Sequence, residues 1–309
     1  MKRVNYSRNH SGTGVALACV IGLAVGLIFI FAKTTSALAN ERVYGDRVSL
    51  GDGQMETYIE FNGDGIPAAI GVEFGESLFA NLPQGIADGY NCWDKNGDGK
   101  LSLSPPYECV AGHHRVLFLP KHDENIPFNW VLLNWNPGGH IPPGVFDVPH
   151  FDIHFYIMDY VANSFIRPGP CGPELVNCDD FKKGQIPIPP ANIHPDFKNV
   201  HAVAPRMGNH LIDVTAPEFR PRPPDGDGHE FTYAFIFGAY DGHITFYEPM
   251  VTVAYFQSHP NECAQIKLPS EYEISGYYPT EYCIRFAQGD GRYTVSLEGF
   301  VERKAGRKY

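Results

Sequence analysis

The chain is short of positive charge, has no internal repeat and carries only one long apolar run. Its 24 Lys and Arg stand against 35 Asp and Glu, a formal net charge of -11. A surface of that sign repels phosphate backbones, which argues against nucleic acid as a partner. The missing repeat excludes a stacked array. Charged residues make up only 19% of the chain and hydrophobic ones 43%, proportions of a globular protein with disorder confined to its ends. Helical patterning is scarce as well: 32 Gly and 26 Pro beside 21 Phe and 17 Tyr favour strands and turns.

The one long apolar run, Val15 to Phe31, follows Lys2, Arg3 and Arg8 and precedes Ala37-Leu38-Ala39, a small-residue cleavage pattern. Residues 1–39 therefore read as a signal peptide, with an uncleaved N-terminal membrane anchor as the lesser alternative. Without Lys2, Arg3, Arg8 and Lys33 the basic count falls from 24 to 20 against 35 acidic residues, so the net charge goes from -11 to -15. The remaining chain suits bound cations and an extracytoplasmic location. A membrane enters as partner only if the segment is retained.

Beyond Cys19 there are six cysteines, an even number in a chain expected to be exported. They fall into local couples, and the expected disulfides are Cys92 with Cys109, Cys171 with Cys178 and Cys263 with Cys283.

Val43 to Pro83 reads as strand, turn, strand, with Met55, Thr57, Ile59 and Phe61 on one face and a tight turn at Asn62-Gly63-Asp64-Gly65. A short helix is expected over Glu76 to Asn81. Arg115 to Leu119 and Phe128 to Trp135 read as buried strands, and Arg167 to Pro195 as a Pro-rich ordered connector. Phe231 to Phe256 reads as two strands about an Asp241-Gly242 turn and a third after Pro249, with Glu248 at the break. Glu281 to Glu302 reads as a hairpin covering a sheet edge. His113, His114 and His122 read as surface or loop positions.

Residues 87–112 form an insertion whose centre, Asp94, Asn96, Asp98, Gly99, Lys100, Leu101 and Ser102, has the alternating oxygens and the Gly of a calcium loop. Pro105 occupies the twelfth position, where a bidentate Glu belongs, and Glu108 comes three residues late. A dockerin-like or isolated calcium loop fits better than a full helix-loop-helix hand, beside the plain reading of a solvated turn.

The main chemical signal lies in NWNPGGHIPPGVFDVPHFDIHFYIMD, Asn134 to Asp159. Phe151, Ile153 and Phe155 alternate with His150, Asp152, His154 and Tyr156, so a strand here has one core face and one chemical face. Gly138-Gly139 and Pro142-Pro143-Gly144 are turn chemistry that folds His140 back to the same side. On a strand rising roughly 3.3 Å per residue, His150 and His154 are about 13 Å apart, so Asp152 with either His is the better ligand pair. A zinc-protease helix would need Glu after the first His; Phe151 stands there. His210, just after a Gly turn, and Glu248, set among aromatics, complete the candidate set. Imidazole and carboxylate ligands suit zinc, iron, manganese or nickel. The alternative is a polar network of hydrogen bonds alone. In an enzyme, Asp152 or His150 would be the base, with His154, His210 and Glu248 as ligands.

Four blocks from Val43 to Phe256, namely GDGQMETYIEFNGDGIPAAIGVEF, NWNPGGHIPPGVFDVPHFDIHFY, RMGNHLIDVTAPEF and FTYAFIFGAYDGHITFYEPMVTVAYF, resemble in order an uncharacterised extracytoplasmic domain family that includes a small Thermus protein. The resemblance implies that His140, His150, Asp152, His154, His210 and Glu248 share one constellation, but no activity. The calcium-like loop and the tail beyond Phe256 depart from the family pattern.

The expected protein is mainly β, an antiparallel β-sandwich or cupin-like barrel with few short helices. One β-rich domain spans 40–257, with a hairpin extension over 258–309. Its function is expected to be transition-metal binding with a separate calcium site. The rival is a structural envelope protein that associates with further copies of itself.

Overall fold

The computed structural model describes residues 40–103, 107–122 and 125–306. The targeting segment read over residues 1–39 and the loop position at Pro105 lie outside the described residues. The described chain contains β1 (Glu41–Leu50), β2 (Gly53–Phe61), β3 (Pro67–Gly75), β4 (His113–Phe118), β5 (Trp130–Asn136), β6 (His150–Tyr156), β7 (Pro168–Cys171), β8 (Phe197–Ala204), β9 (Gly208–Asp213), β10 (Tyr233–Tyr240), β11 (His243–Thr252), β12 (Asn261–Gln265), β13 (Gly276–Tyr278), β14 (Glu281–Ala287), β15 (Arg292–Glu298) and β16 (Val301–Arg303). Its α-helices are short: α1 (Tyr160–Ser164), α2 (Cys178–Gly184) and α3 (Val253–Gln257).

The strands form three antiparallel sheets: β1-β2-β3-β15-β14-β12, β4-β5-β6-β11-β10-β9-β8, and the pair β13-β16. Both large sheets are open, ending at β1 and β12 and at β4 and β8. The architecture is mainly β and consistent with a sandwich; no closed barrel occurs among the described residues, which rules out the cupin-like alternative. Closure requires the two edges of one sheet to meet, a property no local pattern encodes. Met55, Ile59, Val72 and Val295 of the first sheet share one apolar cluster with Leu133, Phe151, Ile153 and Phe155 of the second. Burying each such side chain stabilises the fold by roughly 1.5–3 kcal/mol.

Asp241 and Gly242 take left-handed φ values of 53° and 82°, which matches the strand twist and closes the β10–β11 hairpin in two residues. The expected break at Glu248 and Pro249 is absent, because β11 runs through both. Pro249 pairs with Phe235 on β10, while the ladder to β6 passes from Tyr247↔Phe155 to Met250↔Asp152. It thus lapses where the ring nitrogen has no hydrogen to give. The expected third strand is also absent. Thr252 accepts from the Tyr255 amide at 3.1 Å and caps α3 instead. The helix expected from Glu76 is a single 3-10 turn over Glu76–Phe79. The C-terminal hairpin β14–β15 joins the first sheet, β15 pairing with β3.

The three expected disulfides are formed: Cys92 with Cys109, Cys171 with Cys178, and Cys263 with Cys283. They fit an oxidising, extracytoplasmic environment. No helix among the described residues is long and apolar enough to cross a membrane.

Candidate metal centre

The polar face of β6 turns away from the sandwich core yet is not exposed, since all seven residues of the strand are buried. The segment between β5 and β6 folds over it. Phe146, at the middle of that cover, packs with Ile212, Ile236 and Met250 on the sheet. The cover begins at Gly139, whose φ is 69° and where a Cβ would lie 2.1 Å from the Phe146 carbonyl oxygen. The His140 amide donates to that oxygen at 3.1 Å. Only a residue without a side chain permits so close a return, and it brings His140 over β6.

Across the sheet, Asn134 and Asn136 of β5 pair with Asp152 and His150. On the other flank His210 of β9 pairs with Gly238 of β10, which pairs in turn with Phe246 of β11. A Cβ on Gly238 would lie 2.1 Å from the Phe246 ring. With no side chain there, His210 reaches across β10 toward Glu248.

The six sequence-derived candidates separate into two sets of two histidines and one carboxylate. In the first, His140 Nε2 lies 3.1 Å from Asp152 Oδ2, His150 Nε2 lies 3.0 Å from Asp152 Oδ1, and the two Nε2 atoms are 3.1 Å apart. For metal–nitrogen bonds of ~2.0–2.1 Å, adjacent ligand atoms stand roughly 3.0–3.4 Å apart. The second set is looser, with His154 Nε2 3.4 Å from Glu248 Oε1 and His210 Nε2 3.9 Å from Glu248 Oε2. Asp152 and His154 therefore belong to different sets, although their spacing on the strand allows them to share an ion.

Every one of the four imidazoles commits its other nitrogen to the main chain. Nδ1 meets the carbonyl of Ile141 for His140 at 2.7 Å, of Val148 for His150 at 2.6 Å, of Leu132 for His154 at 3.0 Å and of Ala202 for His210 at 2.9 Å. A carbonyl only accepts, so each Nδ1 carries the hydrogen and each neutral ring presents an Nε2 lone pair to its carboxylate. Outer-shell bonds of this kind fix the tautomer of metal-ligating histidines. The Asn136 side-chain amide donates to Asp152 Oδ2 at 2.7 Å and steadies the carboxylate. His154 Nε2 and Glu248 Oε2 are buried without a hydrogen bond, a costly state for polar atoms that lack a partner.

Electrostatics divide the sets further. Burial works to lower the pKa of His140, but the Asp152 charge and hydrogen bond raise it to about 9. Burial works to raise the Asp152 carboxyl, which His150 and His140 nevertheless hold well below the usual carboxylate range. In the second set burial dominates. It pushes His154 down to about 3 and His210 down to about 4, and it raises Glu248 well above the ordinary value, with repulsion from Asp152 adding to the shift. His154 and His210 are thus neutral and able to ligate at any ordinary pH.

A cavity of about 380 Å3 is lined by His140 and Asp152 of the first set and His210 of the second, together with Asn134, Glu174 and apolar side chains. Glu174, half-buried on the loop tied by Cys171–Cys178, has no motif in the sequence to mark it. Asn134 and Asn136 carry a faint signal, since they alternate with Trp135 as the ligands alternate on β6. His113 and His114, read as surface positions, are buried in β4. His113 Nε2 meets the Gly85 carbonyl at 2.6 Å, and the His114 amide donates to Asp88 at 2.7 Å, because residues 85–88 lie over that edge strand. Neither joins the centre.

In the calcium-like loop, Asp94 accepts from the Gly97 and Gly99 amides, Asn96 from Asp98, and Asp98 from Lys100. The carboxylate of Glu108 accepts from Lys95, Asn96 and Ser102 and so closes the loop from within. A further group, Cys263, Glu281, Cys283 and Glu298, offers no thiolate, since its cysteines are joined to each other.

Compared with known proteins, the chain matches no family model, no curated protein and no solved structure. Its function has to be argued from the chemistry of the centre.

Proposed function

We propose that this is an exported metal-binding β-sandwich protein whose centre holds transition-metal ions in two sets, each of two histidines and one carboxylate: His140/His150/Asp152 and His154/His210/Glu248. The observation that carries the reading is the common orientation: four Nδ1 hydrogens donated to carbonyls leave four Nε2 atoms turned toward two carboxylates. Main-chain bonds that fix the tautomer and aim Nε2 at a carboxylate are the outer-shell arrangement of metal-ligating histidines. Three protein ligands leave coordination positions for water or substrate, the pattern of catalytic rather than structural zinc and of non-haem iron. A metal bound there would supply Lewis-acid character to the cavity. With Asp152 lying against both His140 and His150, it belongs to the ligands, and Glu174 is the cavity residue left to handle a proton.

The test is equilibrium dialysis of chelator-stripped protein against zinc, manganese and iron(II), followed by elemental analysis. Retained metal that falls in both His150→Ala and His210→Ala supports the reading. Equal metal content in wild type and variants, with only a loss of stability, rejects it in favour of a structural polar network. A second, separate ion is proposed for the loop of Asp94, Asn96, Asp98, Lys100 and Ser102, supported by its alternating oxygens. A calcium-dependent rise in melting temperature that disappears in Asp94→Ala/Asp98→Ala supports it, and an unchanged melting temperature retires it.

A further inference from the structure

The cavity over the centre is lined mostly by hydrocarbon, including Val145, Phe146, Met207, Ile212, Phe219 and Ile236, and its polar lining is His140, Asp152 and His210 of the centre with Asn134 and Glu174. The described lining residues include no Lys or Arg. An anionic ligand therefore has no partner along the walls. At the centre the balance reverses: a divalent ion held by two neutral imidazoles and one carboxylate keeps a net positive charge, and in surroundings this apolar that charge calls for an oxygen anion. A second negative end would meet hydrocarbon, the Glu174 carboxylate or the uncharged Asn134 amide, none of which neutralises it, so one anionic group is favoured. The volume of about 380 Å3 falls in the lower part of the ~300–1,000 Å3 range of small-molecule sites, too small for a length of polymer.

We infer that the cavity binds a small monocarboxylate with an aromatic or branched apolar body, its carboxylate oxygens at the metal end and its hydrocarbon against Phe146, Ile212 and Ile236. This rests on the metal reading above. Val200 and Ile141 line the cavity while 41% and 37% exposed, so they stand at its mouth.

The full mature chain loaded with cobalt(II) can be titrated with 3-phenylpropionate, acetate and 3-phenylpropanol, following heat and the visible absorption of the cobalt. The phenylpropionate should change the spectrum and bind roughly tenfold or more tightly than either control, acetate lacking the apolar body and the alcohol the charge. Val200→Trp, a change at an exposed position, should keep the cobalt stoichiometry and weaken phenylpropionate by about tenfold or more. Acetate or the alcohol binding as well as the acid, or a silent spectrum from cobalt-loaded protein, would overturn this inference and leave the metal reading standing. Failure to hold cobalt at all would overturn both.

Discussion

His140 and His150 face each other through their Nε2 atoms at 3.1 Å, each with its Nδ1 hydrogen already given to a main-chain carbonyl. Two neutral rings held this way would oppose lone pair to lone pair; a proton or a cation between them removes the conflict. In the metal-free chain a proton serves, which agrees with His140 being raised to about 9 beside Asp152. A metal must displace it. At neutral pH, binding is expected to release protons from His140 and from Glu248, whose buried carboxyl is raised well above its usual range. Calorimetry in buffers of different ionisation enthalpy counts them. Binding with no proton release would contradict the assignment, as would an affinity that does not rise with pH.

Asn136 holds Asp152 Oδ2 at 2.7 Å from the neighbouring strand. Substitution Asn136→Ala leaves the carboxylate without its steadying donor and is expected to lower metal affinity about 10- to 100-fold. The accompanying loss of fold stability should be about 1–3 kcal/mol. Competition with a chromophoric chelator measures the first and urea unfolding the second. A loss of stability with unchanged affinity would make Asn136 a packing residue only.

Gly238 separates the two sets experimentally. A methyl group there meets the Phe246 ring and displaces the aromatic wall against which His210 lies, 5.2 Å between ring centroids. Gly238→Ala should cost about 1–3 kcal/mol by overpacking. It should also weaken the set containing His210 and Glu248 while sparing His140, His150 and Asp152. Metal stoichiometry checks this directly, and equal weakening of both sets would show that they are not independent.

The stability of the metal-free protein should fall on both sides of a maximum near neutral pH. His154 and His210 titrate lower in the fold, at about 3 and about 4, than the ~6.5 of a free imidazole. Below that value the unfolded chain takes up more protons, so stability is lost as pH falls. Asp152, depressed in the fold, adds to the loss at still lower pH. His140 works in the opposite sense: its contribution is complete below ~6.5 and disappears as pH rises through about 9. Melting temperatures from pH 4 to 10 test the shape, and His210→Gln should flatten the acid side. An acid side unchanged in that variant would remove His210 from the explanation.

The sequence already showed what depends on neighbours along the chain. Period-two alternation around Asp152 identified both faces of β6, and the Gly-Gly turn brought His140 back over it, since both are local geometry. The division of six residues into two sets was not legible. It depends on the order β6-β11-β10-β9 and on Gly238, features joined only by long-range pairing. Sheet closure is of the same kind, which is why barrel and sandwich both remained open. Pro249 misled because a proline marks a break unless the adjacent ladder lapses, and α3 was not legible because its Thr252 cap sits inside an apolar run with the look of a strand. Glu174 had no signal at all: its place in the cavity comes from the Cys171–Cys178 loop, not from any pattern around it.

The most direct test is anomalous scattering from crystals of the metal-free protein soaked in zinc. The metal reading predicts a peak ~2.0–2.2 Å from the Nε2 atoms of His140 and His150 and from an Asp152 oxygen, and a weaker one within His154, His210 and Glu248. Full density for those side chains with no peak at either place would contradict it and leave His140 and His150 sharing a proton in a structural polar network.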